Sequence, residues 1–414
     1  MKFDIFFSIC QTEVDGYLPT EKTLFQNFFD QVKLADELGF ETAWVAESHL
    51  SSEVQKSNPG AVIPHFKGEI GLNANLLQLA QKVFSQTKRI HVGSAIMNIL
   101  CNGGPLAHAE AIKMFLSLHG LDENESRLLE IGFAAGRFPY SIAPYGIKPR
   151  TPVEKAAWPI IKGLVFREAT EIFLRALNNE VIASSDITPK VITQEHCRTE
   201  QHWQQIVQAY QTLNHTQEVP SEISIAPFWE FDKVGVMPFD YRQDLLRLTV
   251  GSHELPVQKL ANSIRPCGVF NLSITPSEHI EKTHEAMSKV YHPDGGPWRR
   301  DLLPRTALIF VNGDKDKTPG QQSAQAKLAA EKALKTYWMA MDGTIDNAKI
   351  QEAVNNAIAG NPEEVAALMR ENFHPDDRLM LWFDFNNHNN EDVKNSMTTF
   401  MRDVAPLLTS ASPA

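Results

Sequence analysis

Residues 42–52 read TAWVAESHLSS, and the fold turns on how this run divides. Thr42 to Ala46 are small, β-branched or aromatic, the composition of a strand buried on both faces. Glu47, Ser48 and His49 follow at once. A buried strand that runs straight into a carboxylate, a hydroxyl and an imidazole places them where the strand opens on a cleft.

Outward from this run the same rhythm repeats. FDIFFSI (3–9) is a strand, and TLFQNFFDQVKLADELGF (23–40) follows it. There Phe25, Phe28, Phe29, Val32, Ala35 and Leu38 recur at helical spacing, and Gly39 closes the helix. Further strands read at 89–97, 127–134, 245–251, 267–274, 305–311 and 378–385. Helices read at 72–86, 105–119, 153–178, 256–264 and 277–290. A last helix in EDVKNSMTTFMRDV sets Val393, Met397, Phe400, Met401 and Val404 on one stripe. Eight strands, each followed by helical text, predict a (β/α)8 TIM barrel. The polar stretch 179–230 breaks the rhythm and reads as an insertion after the fourth strand of a single domain, 1–414. A doubly wound open sheet is the competing architecture, but no GxGxxG follows the first strand. In a barrel the strand C-termini form the active-site mouth, which is where Glu47, Ser48 and His49 fall.

Composition narrows the function. The net charge is −11 with no dense basic cluster, which argues against nucleic acid or anionic membranes as partners. The four cysteines lie far apart with no CxxC spacing, so no metal site or disulfide framework is expected. The N-terminus does not read as a signal peptide, and no apolar run reaches membrane-spanning length. A cytoplasmic protein is expected.

Several blocks in one order carry a family resemblance. They are LADELGFETAWVAESHL (34–50), RIHVGSAIMNILCNGGPLAHAEAI (89–112), ESRLLEIGFAAGRFPYSIAPYG (125–146), LTVGS (248–252), and GNPEEVAALM (360–369) with RLMLWFDF (378–385) and EDVKNSMTTFMRDVAPLL (391–408). Together they resemble the bacterial luciferase-like flavin monooxygenases. The resemblance implies FMN at the barrel mouth, reduced by a separate reductase. Oxygen then adds to the flavin, and the resulting peroxide attacks an organic substrate. Some relatives use a deazaflavin and transfer hydride instead. A homodimer, or a heterodimer with a related barrel, is implied too.

Residue by residue, the resemblance implies His49 as the acid–base group, a role suited to an imidazole near neutral pH. The family pattern here is Glu-His-His with the first His catalytic. In this chain Ser48 holds that place and can only hydrogen-bond. The plainer reading has His49 bond a neighbouring loop and Glu47 tie backbone at the strand end. Met97 and Asn98 are expected beside the isoalloxazine ring. In the family an Arg just before the final Gly of the fourth strand holds the phosphate. Here that position is Ala135, so Ala134, Gly136 and Arg137 are the expected cradle, joined by Gly251 and Ser252. These departures keep two other readings open: a flavin- or deazaflavin-dependent hydride-transfer oxidoreductase, and a non-catalytic flavin-binding partner subunit. The aromatics Phe228, Trp229, Phe231, Phe239 and Tyr241 line a substrate pocket or simply pack. The connection 339–360 is the expected lid.

Overall fold

The protein is described here by a computed structural model covering residues 1–343, 351, 354 and 357–409. Eight parallel strands form its centre: Lys2–Phe7, Thr42–Val45, His91–Asn98, Leu129–Ala134, Leu246–Val250, Gly268–Val269, Arg305–Val311 and Arg378–Trp382. Each pairs with the next except the sixth with the seventh, a short ninth strand, Ile358–Gly360, flanks the seventh, and the eighth returns to the first through Lys2↔Arg378 to Phe6↔Trp382. The sixth strand is only two residues long, shorter than the 267–274 expectation. Closure between the sixth and seventh strands rests on one residue: Asn271 N donates to Pro304 O at 2.9 Å, and Thr306 N donates to Asn271 O at 3.1 Å. The sheet therefore closes into the barrel that the sequence predicts.

The helices begin and end where their chemistry directs. Glu21–Leu38 is capped by Thr20 Oγ1 accepting from Thr23 N, and it stops at Gly39, whose φ of +87° suits the left-handed C-terminal position. Its buried face carries Leu24, Phe28, Val32 and Ala35, while Phe25 and Phe29 are only partly buried. Leu76–Gln86 starts on an Asn75 cap. Asn390–Thr399 runs on through a wide turn, Phe400–Val404, which keeps Val393, Met397, Phe400 and Val404 buried.

Within 179–230, Lys190–Thr193 pairs antiparallel with Glu222–Ile225, and the helix Glu200–Asn214 connects them. Trp203, Ile206 and Val207 seat that helix. The signal was present in the sequence: Thr199 is a good N-cap, and Trp203, Ile206, Val207 and Tyr210 share a helical face.

Inside the barrel, the N-terminal half is plugged by a buried polar network. Arg378 reaches Glu130 at 2.6 Å and Asp4 at 2.6 Å. Thr42 Oγ1 donates to Glu130 at 2.7 Å, and Trp44 Nε1 donates to Asp4 at 2.6 Å. Above it lies an apolar layer of Phe6, Trp44, Phe270 and Met380, distinct from the larger core between barrel and helices. The C-terminal half of the barrel is thus the half left open for a ligand.

Candidate active site

Strand alternation decides which side chains reach the mouth. At the strand ends the outward residues Val45, Phe133, Val250, Ile309 and Phe383 are buried under the helices. Their inward neighbours Ser8, Ala46, Ala134, Gly251, Leu308, Phe310, Trp382 and Asp384 are half-exposed. A barrel wall whose inner face is more exposed than its outer one lines an open mouth.

The third strand breaks the simple alternation. Ser94 pairs with Ile131 and Met97 with Phe133, so Ala95 and Ile96 together lie opposite the single Gly132. The Ala95–Ile96 peptide is cis. This bulge inverts the parity beyond it. Ile96 joins the inner layer with Trp44 and Trp382, while Met97, 3% exposed, belongs to the outer core. Met97, expected on the inner face, thus lies in the outer core and Ile96 takes the inner face, since a bulge leaves no mark in apolar periodicity.

Asn98 is buried and works on the protein's own loops. Its Oδ1 accepts from Leu100 N at 3.1 Å, and its amide nitrogen lies under Gly136. Gly136 has φ +71°, and a Cβ there would collide with that amide. Asn98 so props the turn after the fourth strand rather than lining the mouth.

Glu47 and His49 form a buried pair, with His49 Nε2 2.8 Å from Glu47 Oε1 and side chains 2% and 7% exposed respectively. Glu47 Oε1 also accepts from Asn98 N at 3.2 Å. His108 stands nearby, hydrogen-bonded to Cys101 O at 3.1 Å. Burial holds the His108 imidazole below its usual range, despite the Glu47 charge. Glu47 thus ties the end of the second strand, and His49 with it, to the backbone at the end of the third. Ser48 is half-buried and its N–H donates to Asn73 O at 3.0 Å. Its hydroxyl side faces Tyr140, whose own hydroxyl is buried without a hydrogen-bond partner of good geometry.

The phosphate candidates are placed separately. Gly251 faces inward: a Cβ there would stand 2.5 Å from Ile96 Cδ1 and 3.1 Å from the Ala134 Cβ. Ala134, Gly251 and Ile96 thus meet at one point of the wall. Ser252 Oγ accepts from Glu254 N at 3.2 Å just ahead of the helix Leu255–Ile264, which has no side-chain cap of its own. Arg137 is exposed, 5.4 Å from the Phe138 ring centre, and has no ion pair among the described residues.

Two mouth-facing groups escaped the sequence reading. Trp382 Nε1 and Asp384 Oδ1 are both buried, and neither completes a hydrogen bond. Asp384 lies beside the indole and the Ser8 N–H, and burial pushes its carboxyl up to about 7 against those two donors. The run WFDF looks like a strand tail, and only closure of the barrel shows that alternate residues of it point inward.

The five aromatics of 228–241 lie away from this wall. Trp229 packs against Gly104, Phe239 sits over Lys113 at 5.0 Å, and the Tyr241 hydroxyl donates to Leu177 O at 2.5 Å. Tyr241 is buried, Phe228, Trp229 and Phe231 pack partly buried against the core, and Phe239 is half exposed. Of the expected lid, 344–350, 352–353 and 355–356 lie outside the described residues. The helix Pro319–Asp342 ahead of it does cover the eighth strand end, with Ala333, Leu334 and Tyr337 on Phe385 and Trp382. Its terminal Gly343 abuts His65 of the loop after the second strand.

Comparison with known proteins agrees with this architecture. The family model described as luciferase-like monooxygenase matches residues 1–119. Monooxygenase RslO1 from Streptomyces bottropensis superposes with TM-score 0.65 at 17% identity, covering 98% of this chain and 99% of that one. The oxygenating constituent of 3,6-diketocamphane monooxygenase from Pseudomonas putida, solved with FMN, gives 0.56 at 15% identity over 98% of both chains. An F420-dependent secondary alcohol dehydrogenase, solved with an F420–acetone adduct, gives 0.53 at 13% identity over 99% of both. No curated protein sequence matches the chain. At these identities the structural likeness establishes the fold alone, an α/β barrel.

Proposed function

We propose that this chain is a flavin-dependent monooxygenase acting on a small organic molecule with reduced FMN and O2. One observation carries the reading. The inner wall of the mouth is built of small residues, Ala46, Ala134 and Gly251, beside Ile96 and Trp382, and it stays open while its outer face is sealed. Small side chains on one face of a pocket leave a flat slot, which suits a planar tricyclic ring. The buried and unpartnered Trp382 Nε1 and Asp384 Oδ1 supply a donor and an acceptor at that slot, and such groups call for a ligand.

The residues present fit the cofactor. Gly251, Ser252, the uncapped start of Leu255–Ile264 and the free guanidinium of Arg137 would hold the phosphate. Ile96, Ala134 and Trp382 would bracket the ring. When bound, the reduced flavin supplies two electrons and activates O2. The protein's share is to orient the substrate and to exclude water, the latter through Pro319–Asp342 packed over the eighth strand. A separate flavin reductase, a dimer with a second barrel, a cytoplasmic setting, and one domain bearing 179–230 as its insertion complete the proposal.

The test is binding and oxygen uptake by the apoprotein with FMN, reduced FMN and a reduced deazaflavin. Tight binding of FMN with substrate-dependent oxygen consumption is expected. Hydride transfer to or from a deazaflavin without oxygen uptake replaces this reading with the dehydrogenase one. Absence of binding by every flavin sinks both enzyme readings.

A further inference from the structure

We propose that Asp384 is a catalytic residue of the mouth, the carboxyl group that hydrogen-bonds to the bound ligand and exchanges a proton with it. The inference rests on the reading of the mouth as a flavin site and adds the group that moves protons there.

Glu47 and His49 are spent on each other and on Asn98 N. Ser48 cannot serve as a base at neutral pH. The remaining inward residues at the strand ends, Ser8, Ala46, Ile96, Ala134, Gly251, Leu308, Phe310 and Trp382, carry no titratable group. Asp384 does, two residues beyond Trp382 on the same inward face.

Its setting is that of a working carboxyl rather than a structural one. The other buried carboxylates named here have a cation beside them: Glu130 and Asp4 meet Arg378, and Glu168 meets Lys190 at 2.6 Å. Asp384 has no ion pair among the described residues, and its Oδ1 is buried with no partner. The Trp382 indole and the Ser8 N–H lie alongside it and favour the carboxylate, and Trp382 Nε1 is itself buried without a closed hydrogen bond. Leaving a buried acceptor unpaired is costly, and a ligand that hydrogen-bonds to it would relieve that cost.

The electrostatics agree with the geometry. Burial raises the carboxyl to about 7, so it can give or take a proton near neutral pH. The neighbouring titratable group is the Cys10 thiol, which burial pushes up to about 11 and which hydrogen-bonds Thr12. On the covering helix Glu331 pairs with Lys335 and Lys332 with Asp15, Lys327 is exposed, and Tyr337 packs on Phe385. In the forward step the Asp384 O–H bond breaks and one O–H or N–H bond forms on the ligand. The carboxylate then recovers its proton from water.

The experiment uses Asp384→Asn and Asp384→Glu in the full chain, with unchanged melting temperature as the check on folding. Two readouts follow. One is the absorbance of bound FMN titrated from pH 5 to 9. The other is oxygen uptake with reduced FMN over the same range. The wild type should show an inflection near neutrality in both. Asp384→Asn should lose the inflection and run roughly 10²-fold slower at the optimum. Asp384→Glu should keep the inflection and part of the rate. An Asn variant with the wild-type pH profile overturns the role of Asp384 while leaving the flavin reading intact. Wild-type protein that binds no FMN overturns the flavin reading, and the catalytic role with it.

Discussion

His49 Nε2 lies 2.8 Å from Glu47 Oε1, and the same carboxylate oxygen takes the N–H of Asn98 at 3.2 Å. One buried carboxylate thus joins the ends of the second and third strands. Removing one partner leaves the other buried and unsatisfied, at a cost of about 1–3 kcal/mol. Glu47→Gln and His49→Ala should therefore lower the unfolding midpoint in urea. FMN affinity per folded molecule should change little. A His49→Ala protein with native stability but much slower turnover would restore His49 to the catalytic role that its neighbour Ser48 lacks.

Gly251 and Ile96 share one small volume. A methyl group at 251 would meet Ile96 Cδ1 at 2.5 Å and the Ala134 Cβ at 3.1 Å. Overpacking of this kind typically costs about 1–3 kcal/mol. Gly251→Ala should lose stability in that range and weaken FMN binding, because the slot narrows. Ile96→Val in the same chain should return part of both losses. Contacting residues couple in this way, and a double-mutant cycle measures it. Strictly additive effects of the two changes would show that the side chains do not meet.

Much of this was legible beforehand. TAWVAESHL announced both a strand and its polar end, and the apolar faces of Glu21–Leu38 and Asn390–Thr399 stood in plain helical spacing. Barrel closure followed from counting such units. Three features could not be read. The bulge at Ala95–Ile96 exchanges the facing of Ile96 and Met97 with no change in composition. The tie at Glu47 depends on the backbone of Asn98, 51 positions away, which periodicity cannot connect to it. Asp384 sits among aromatics, and only the lack of a partner distinguishes it from a strand-end carboxylate. Missing polar partners are properties of the folded chain, so sequence reasoning reaches them last.

Arg137 offers an exposed guanidinium on the loop after the fourth strand, stacked 5.4 Å from the centre of Phe138. Ala135 leaves no cation at the position where the family resemblance expects one. Arg137→Ala should weaken FMN roughly 10- to 100-fold, the range of one charge-assisted hydrogen bond to phosphate. Riboflavin, which lacks the phosphate, should be nearly unaffected. Equal loss for both ligands would mean that Arg137 supports the loop through Phe138 instead.

The plug beneath the mouth gives a prediction in pH. Asp4 and Glu130 share Arg378 at 2.6 Å each. Burial dominates at Asp4 and, with the nearby Glu130 charge, raises its carboxyl from 3.8 to about 7 despite Arg378 and the Trp44 N–H. At Glu130 burial is opposed more strongly. The charge and hydrogen bonds of Arg378, with Arg247 and Thr42, bring it from 4.5 down to about 2. The signs are opposite. The folded state holds a proton on Asp4 that the unfolded chain sheds above 3.8, so this contribution is full at low pH and is lost as pH rises through 7. The Glu130 contribution is present above 4.5 and lost as pH falls toward 2. Wild type should therefore lose stability relative to Asp4→Asn between pH 4 and 7, by at most about 1.4 kcal/mol per pH unit for one proton. Urea unfolding of both proteins across that window measures the difference. Parallel curves would show that Asp4 is ionised throughout and that Arg378 carries both carboxylates as a full ion triad.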